Sequence, residues 1–407
     1  MTQNGLGEQN RHGGEGPSYR SSRVPGSGVF LLMDAAKSAA RASGVEVVDL
    51  SIGASDLAPP PEALAALKDS IDDPTTHSYC LKSGTMPLLE AACKWYGERY
   101  GTQLDPNCEA LSLIGAQEGL GHALMAVADA GDGILMTSVA YPSYFGAVRV
   151  AGLDPIYMPL GPDFLPRLDA IAPADLARSR VLLLNYPNNP TSAVASAAFF
   201  QAAIDLCRRH GILLIHDNPY VDLVFGEEPS PSPLCLPGGR DCVLELFSFA
   251  KSYHLGGFRL GFALGNRNAI ASLEALKAPI DFNQYKGIMR MGVACLQLPQ
   301  ERVRSDAGVW AARAAAMVES LRRAGCGEVD MPKACMYVWL RLPAGVDDVA
   351  FCQRLVADTG IALSPGRGFG PGGAGFVRVA LVQPEGVLAA AAEKIAAAMR
   401  AAKAALA

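Results

Sequence analysis

Short apolar runs alternate with amphipathic helical segments along most of this 407-residue chain, and this alternation restricts its fold more than any other feature of the sequence. The runs are nearly continuous in apolar residues, which is typical of strands buried on both faces of a parallel sheet. The helical segments between them provide the crossovers that parallel strands need. Strands are predicted over 133–141, 180–185, 212–217 and 243–250, and helices over 85–101 and 196–211. The pattern predicts an α/β fold.

A different arrangement of elements follows residue 297. The predicted elements there are helices over 301–325, 347–359 and from Pro384, with strands over 336–343 and 375–383. Such a mixture indicates a second, smaller α+β lobe, and a chain of this length exceeds what one hydrophobic core usually serves. We predict a disordered tail over 1–27, an N-terminal segment of the small domain over 28–60, a large α/β domain over 61–297 and a C-terminal small domain over 298–407.

Composition narrows the classes of partner. Charged residues are 18% of the chain and the net charge is −5, without the basic block that nucleic acid or anionic lipid would require. The chain has no apolar run of membrane-spanning length. Its ten cysteines include no C-x-x-C pair, so we expect reduced thiols in a cytoplasmic protein that acts on small molecules. An organelle transit peptide within residues 1–27 is the alternative for the location.

Polar side chains follow three of the predicted strands. Asn188 and Asn189 come after the strand ending at 185, Asp217 closes the next strand with Tyr220 three residues later, and Lys251 follows the strand ending at 250. Ligands of α/β sheets bind at the carboxyl ends of the strands, where these residues should meet. An amine, a carboxylate, a phenol and an amide together suit pyridoxal phosphate, which needs an amine for its aldehyde and a carboxylate for its ring nitrogen.

Four motifs in order resemble a known family. They are "IGAQEGLGHAL", "NYPNNPTSAVA", "KAPIDFNQYKGIM" and "GRGFGPGGAGFVRVAL", and with "SFAKSYHLGGFRLG" around Lys251 they are similar to the class I, fold-type I pyridoxal-phosphate-dependent aminotransferases. The resemblance extends from about residue 47 to residue 383 and is nearest to the LL-diaminopimelate aminotransferase-like branch. It implies a large domain with a mostly parallel seven-stranded sheet, and a ping-pong transfer of an amino group between an α-amino acid and a 2-oxo acid.

The resemblance assigns the cofactor's reactive end to five residues. Lys251 would bond to the aldehyde and later move the substrate's Cα proton, and Asp217 would pair with the pyridine nitrogen. Tyr220 and Asn189 would hydrogen-bond the phenolic oxygen, and Tyr141 would stack on the ring.

The phosphate and the substrate are assigned in the same way. The backbone of Ala116 and Gln117 at a helix N-terminus would bind the phosphate together with Ser248 and Arg259. Tyr79 would reach the phosphate of a neighbouring subunit, which implies a homodimer. The substrate would contact Asn189 and Gln117, its α-carboxylate would bind Arg378, and the loop at Gly53 would close over it.

Several positions depart from the family pattern. Ala250, His254, Gly256 and Phe258 replace the usual serine, asparagine, threonine and tryptophan around the lysine. Gln117 stands where diaminopimelate-specific members carry a lysine suited to an anionic distal group, and a glutamine cannot pair that charge. Aspartate, glutamate, alanine and LL-diaminopimelate therefore all stay open as amino donors.

Two other functions of the same cofactor site stay open at this point. A pyridoxal-phosphate-dependent C–S β-lyase would use the same lysine and aspartate, and a cofactor-binding regulator would bind without turnover. The histidines, at 77, 122, 216 and 254 among others, show no metal-ligand spacing, so no metal is expected.

Overall fold

The computed structural model describes residues 28–226 and 229–406, and its largest sheet has seven strands. The strands are β2 (Ala110–Leu113), β3 (Gly133–Thr137), β4 (Asp154–Met158), β5 (Ser179–Leu184), β6 (Leu213–Asp217), β7 (Val243–Ser248) and β8 (Gly261–Gly265). They lie in the order β2-β8-β7-β6-β5-β3-β4, and only β8 runs antiparallel to its neighbours. The predicted α/β fold with a mostly parallel seven-stranded sheet is confirmed.

Helices cover both faces of this sheet. They are α2 (Pro61–Asp72), α3 (Lys82–Tyr100), α4 (Ala116–Val127), α5 (Pro142–Ala151), α6 (Pro173–Arg178), α7 (Ala197–His210), α8 (Gly239–Cys242), α9 (Phe249–Ser252), α10 (Arg267–Lys277) and α11 (Lys286–Leu296). Along β5, Leu182 and Leu184 pack in one core with α3, α7 and α11, whereas Val181 and Leu183 pack in another with α4, α5 and α10. Both faces are dry, which explains why the strands read as continuous apolar runs.

A second core joins the two ends of the described chain. It is built from α1 (Gly28–Ala42), α12 (Gln300–Arg323), α13 (Asp348–Thr359), α14 (Glu385–Ala404) and the strands β1 (Val48–Asp49), β9 (Tyr337–Arg341), β10 (Ile361–Ala362), β11 (Ser364–Pro365) and β12 (Phe376–Ala380). Strands β11, β12 and β9 form an antiparallel sheet, and β1 pairs with β10. Met33 and Leu50 lie in the same apolar cluster as Trp310 and Ile395. The predicted domain boundaries stay predictions, and the tail predicted over 1–27 lies outside the described residues.

Two predicted strands are longer than the observed ones. The strand predicted to reach residue 250 ends at Ser248, whose hydroxyl accepts a hydrogen bond from the Ala250 N–H and caps the short helix α9. Lys251 therefore lies on a single helical turn. The strand predicted to residue 141 ends at Thr137, and Tyr141 precedes helix α5, which begins at a proline. Side-chain capping and proline override strand propensity at both places.

Among residues 28–226 and 229–406, none of the helices combines the length and the apolar character needed to cross a membrane.

Candidate active site

A cavity of about 660 Å³ opens at the carboxyl ends of β5, β6 and β7 and extends toward β9 and β12. Eleven of the twelve predicted site residues line it. They are Gly53, Ala116, Gln117, Tyr141, Asn189, Asp217, Tyr220, Ser248, Lys251, Arg259 and Arg378. The volume lies within the range of small-molecule sites. The twelfth residue, Tyr79, is 85% exposed and lies in a separate groove.

Asp217 presents a buried carboxylate with one free oxygen. Its Oδ2 accepts a hydrogen bond of 2.6 Å from the hydroxyl of Tyr144, whereas its Oδ1 has no partner among the described residues. Burial raises the pKa of this carboxyl to about 6, and the Tyr144 hydrogen bond opposes that rise. A buried oxygen without a partner is costly, so this position fits a ligand that donates an N–H.

Lys251 provides a desolvated amine in the same cavity. Its Nζ donates to the carbonyl of Gly53 and lies 5.9 Å from the centroid of the Tyr220 ring. Burial lowers the pKa of Lys251 to about 8, and the nearby charges of Arg378 and Arg259 act in the same direction. A larger fraction of the amine is therefore neutral, and nucleophilic, near neutral pH than for an ordinary lysine.

The N-terminus of α4 and the guanidinium of Arg259 form an anion-binding corner. Gly115 precedes the helix with φ +85°, and a Cβ built on it would lie 2.8 Å from Nη2 of Arg259. This close approach requires glycine and leaves the first amides of α4 open to a ligand. Ser248 lines the cavity at the start of α9. An anion with several oxygens, such as a phosphate, fits this corner.

Arg378 lies buried on β12 at the opposite end of the cavity. Its Nη1 donates to Oδ1 of Asn189 at 2.9 Å and its Nη2 donates to the carbonyl of Ser51 at 2.6 Å. Its guanidinium lies 4.5 Å from the ring centroid of Tyr337 and 4.7 Å from that of Phe369. No carboxylate pairs with this cation among its described hydrogen bonds and ion pairs, so it suits a ligand carboxylate.

The phenol of Tyr220 is kept protonated by its surroundings. Its hydroxyl lies 2.8 Å from the hydroxyl of Tyr337, and burial raises the pKa of Tyr220 well above its usual value. On the opposite wall, the hydroxyl of Tyr141 donates to Oε1 of Gln117 at 3.1 Å. The carboxamide nitrogen of Gln117 is then the part of that side chain left to donate to a ligand.

Three neighbours of the site escaped the sequence analysis. Tyr144 bonds the Asp217 carboxylate, and Asn185 donates to the Asp217 carbonyl at 2.8 Å and accepts from the Asn189 N–H at 3.0 Å. Asn185 directly follows β5, so the rule that selected Asp217 applied equally to it. Tyr337 lies on a strand of the second core and carried no such signal.

The histidines behave as structural residues. His216 is fully buried, and its Nδ1 lies 2.8 Å from Oε1 of Glu245. His122 lies beside Glu118 and Asp281, but the buried ammonium of Lys277 approaches both carboxylates, at 3.0 and 2.7 Å. That ammonium takes the place a metal cation would need.

The comparisons with known proteins agree with this chemistry. Residues 45–395 match the family described as "Aminotransferase class I and II". The LL-diaminopimelate aminotransferase of Dehalococcoides mccartyi strain CBDB1 is 37% identical over 369 residues, which are 90% of this chain and 95% of that protein. The protein of the same name from Gloeobacter violaceus is 37% identical over 370 residues, or 90% and 94% of the two chains.

Solved structures agree as well. The structure titled probable N-succinyldiaminopimelate aminotransferase, from Thermus thermophilus, superposes with a TM-score of 0.88 at 55% identity, covering 91% of this chain and all of that one. A Thermus thermophilus aspartate aminotransferase mutant gives a TM-score of 0.86 at 24% identity over 95% of this chain and 100% of that one, which supports the fold alone.

The free oxygen of Asp217 predicts an effect of pH on the cofactor-free protein. A carboxyl whose pKa is raised on folding contributes stability at low pH that is lost as the pH rises through the folded pKa, here from 3.8 toward 6. We expect Asp217→Asn to stabilise the cofactor-free protein by about 2–3 kcal/mol at pH 8 and by little at pH 4. Urea unfolding at the two pH values measures this difference.

Adding pyridoxal phosphate should reverse the order of stability, because the asparagine cannot pair with a protonated ring nitrogen. The exposed Asp129→Asn is the matched control, with an expected change within about 0.5 kcal/mol at both pH values. Equal stability of Asp217→Asn and wild type at pH 8 would contradict the burial argument.

Proposed function

Since the chain belongs to the class I and II aminotransferases and is a pyridoxal-phosphate-dependent transaminase, we propose that the eleven residues lining the cavity bind the cofactor and substrate of this reaction. The observation that carries the proposal is the free Oδ1 of the buried Asp217 in the same cavity as the Lys251 amine. The aminotransferase prediction is confirmed, and no relative named above supports the lyase or regulator alternatives.

The residues divide the work of holding the cofactor. Asp217 Oδ1 accepts the N–H of the pyridine ring, and Arg259, Ser248 and the α4 amides of Ala116 and Gln117 hold the phosphate. Tyr220 and Asn189 contact the phenolic oxygen, and Tyr141 covers one face of the ring. When bound, pyridoxal phosphate supplies an aldehyde and a ring that accepts the electron pair left at the substrate Cα.

The chain's own residues then orient the substrate and move its proton. Arg378 binds the α-carboxylate through its planar guanidinium, which fixes the Cα–H bond relative to Lys251. Nζ of Lys251 takes the proton from Cα and returns it to the neighbouring carbon, helped by its lowered pKa. The covering loop at Gly53 and the second core exclude water.

Replacing Lys251 tests this mechanism. We expect Lys251→Ala, loaded with cofactor, to form 2-oxo acid from an amino donor at least about 100-fold more slowly, because the proton acceptor is lost. Single-turnover assays without an acceptor measure this half-reaction, and wild type should release one 2-oxo acid per site. The exposed Lys403→Ala is the control. Wild-type enzyme that binds the cofactor but converts none of the tested donors contradicts the proposed roles.

We propose a diaminopimelate-type amino donor, a long α-amino acid with a second carboxylate at its far end. The names of the relatives support this class, and the 55% identity places the N-succinylated form first. Within the described lining, Lys251, Arg259 and Arg378 are committed to the cofactor and the α-carboxylate, so Gln117 meets the far end by hydrogen bonding alone. Free LL-diaminopimelate, glutamate, aspartate and alanine are the competing donors.

Gln117 therefore predicts how donors are ranked. Gln117→Lys should lower the KM of donors with a second carboxylate about threefold to tenfold, because a partly exposed ion pair replaces a neutral hydrogen bond. Alanine, which lacks that carboxylate, should be unaffected. Gln117→Glu is the matched control and should raise the same KM values. Steady-state kinetics with the five donors measure the effect, and an equal change for alanine contradicts it.

We propose that the protein is a homodimer. Tyr79 is 85% exposed, Leu81 is 58% exposed and Phe282 is 39% exposed, and the rings of Tyr79 and Phe282 meet edge to face at 6.1 Å. Tyr79 and Leu81 line a groove of about 390 Å³ with Lys286 and Arg290. Exposed apolar side chains around a groove are typical of a protein interface. In the dimer Tyr79 donates its hydroxyl to the phosphate bound by the partner.

Tyr79→Phe separates the two roles of this residue. The ring contact with Phe282 is kept, so sedimentation should still give a dimer, but the affinity for pyridoxal phosphate should fall about tenfold through loss of a charge-assisted hydrogen bond. Tyr157→Phe, on the exposed edge strand β4, is the control. A monomeric wild-type protein, or unchanged affinity in the variant, contradicts the proposal.

We also propose a cytoplasmic location. All ten cysteines are unpaired, which suits a reducing compartment. Thiol titration of protein taken directly from cells measures this, and oxidised cysteines would contradict it.

A further inference from the structure

Ser55, His254 and Asp306 form a chain of hydrogen bonds beside the cavity. Nδ1 of His254 lies 2.8 Å from Oγ of Ser55, and its Nε2 lies 3.1 Å from Oδ2 of Asp306. Ser55 belongs to the loop before α2, His254 follows Lys251 by three residues, and Asp306 lies on α12. One side chain therefore connects the lysine turn, the loop over the cavity and the second core.

The loop over the cavity, residues 50–58, is here called the covering segment. Its first residues are held by the second core, because the Leu50 carbonyl accepts from the Ala380 N–H at 2.8 Å and the Ser51 carbonyl accepts from Arg378. Its later residues are held by Asp56, which pairs with Arg313 through two contacts of 2.7 and 2.8 Å.

Between these anchors, the covering segment meets the lysine turn directly. The Gly53 carbonyl accepts the hydrogen bond of the Lys251 amine, and Ser55 meets His254 two residues later. A side chain at Gly53 would collide with the ring of Tyr337, so the segment passes close to β9. The position of the Gly53 carbonyl therefore depends on how this stretch is held at Ser55.

The backbone of His254 is in an unfavourable conformation for its residue type. It has φ +58°, in the left-handed region, and its side chain is only 4% exposed. A non-glycine residue stays in that region when its surroundings hold it there, and such positions cluster at functional sites. The hydrogen bonds to Ser55 and Asp306 are the interactions that hold this imidazole.

We propose that His254 is a positioning residue that holds the covering segment against the lysine turn, so that the Gly53 carbonyl stays in place as the acceptor for the Lys251 amine. The inference rests on the proposed role of Lys251. Each time that amine is free during turnover, the carbonyl orients it for proton transfer. His254 makes no contact with the cofactor-binding side chains Asp217 and Arg259 among its described hydrogen bonds, so cofactor binding is independent of it.

The first test reads the segment itself in the cofactor-loaded enzyme. His254→Gly removes both hydrogen bonds while relieving the backbone, so the protein should stay folded. Hydrogen exchange followed by mass spectrometry should show the amides of residues 50–58 exchanging about fivefold faster than in wild type. His254→Asn, which can still reach Ser55, should show a smaller change. The exposed His210→Asn is the control, and unchanged exchange in His254→Gly overturns the proposal.

The second test separates positioning from binding. In His254→Gly the half-reaction kcat should fall about threefold to tenfold, with the donor KM and the affinity for pyridoxal phosphate within about twofold of wild type. Adding Ser55→Ala to His254→Gly should cause little further loss, because both changes break the same link. A parallel loss of cofactor affinity, or fully additive effects, overturns the proposal. Exchange reads the link even if no donor is turned over, so its failure is distinct from failure of the proposed function.

Discussion

Parallel pairing of β5, β6 and β7 is the constraint on which the rest of the site depends. In this sheet Leu184 pairs with His216, and Asp217 pairs with Leu246, so the ends of the three strands lie side by side. Parallel strands end at the same edge, and a polar residue that follows each of them must therefore face the same cavity. Asn189, Asp217 and Lys251 are far apart in the chain and meet for this reason alone.

The cavity carries more positive than negative charge. Of its described lining residues, Lys251, Arg259 and Arg378 are cationic, and Asp217 is the single carboxylate. Buried cations are costly unless an anion joins them, so this arrangement is poor for the stability of the empty protein and suits a ligand with a phosphate and a carboxylate. Stability is thus lower in the cofactor-free protein for the same reason that binding is favourable.

Specificity is built from a different set of residues than the chemistry. Lys251, Asp217 and Arg259 serve any amino acid on this cofactor, whereas Gln117 and the covering segment meet the parts of the substrate that differ between donors. Gln117 is held by Tyr141, and the covering segment is held through Ser55 and Asp56 by side chains of the lysine turn and α12. The second core therefore affects the reaction through the loop it anchors.

The sequence by itself determined the α/β class, the helices and strands to within a few residues, and eleven residues of the cavity. Strand periodicity and the polar residues after strands are local signals, and they pointed to Asp217 and Lys251 without any knowledge of contacts. Tyr144, Tyr337 and the link from Ser55 through His254 to Asp306 were decided only by the tertiary structure. Their partners lie 73, 117 and up to 199 residues away in the chain, and no local pattern records which distant side chains will meet once two cores pack around one cavity.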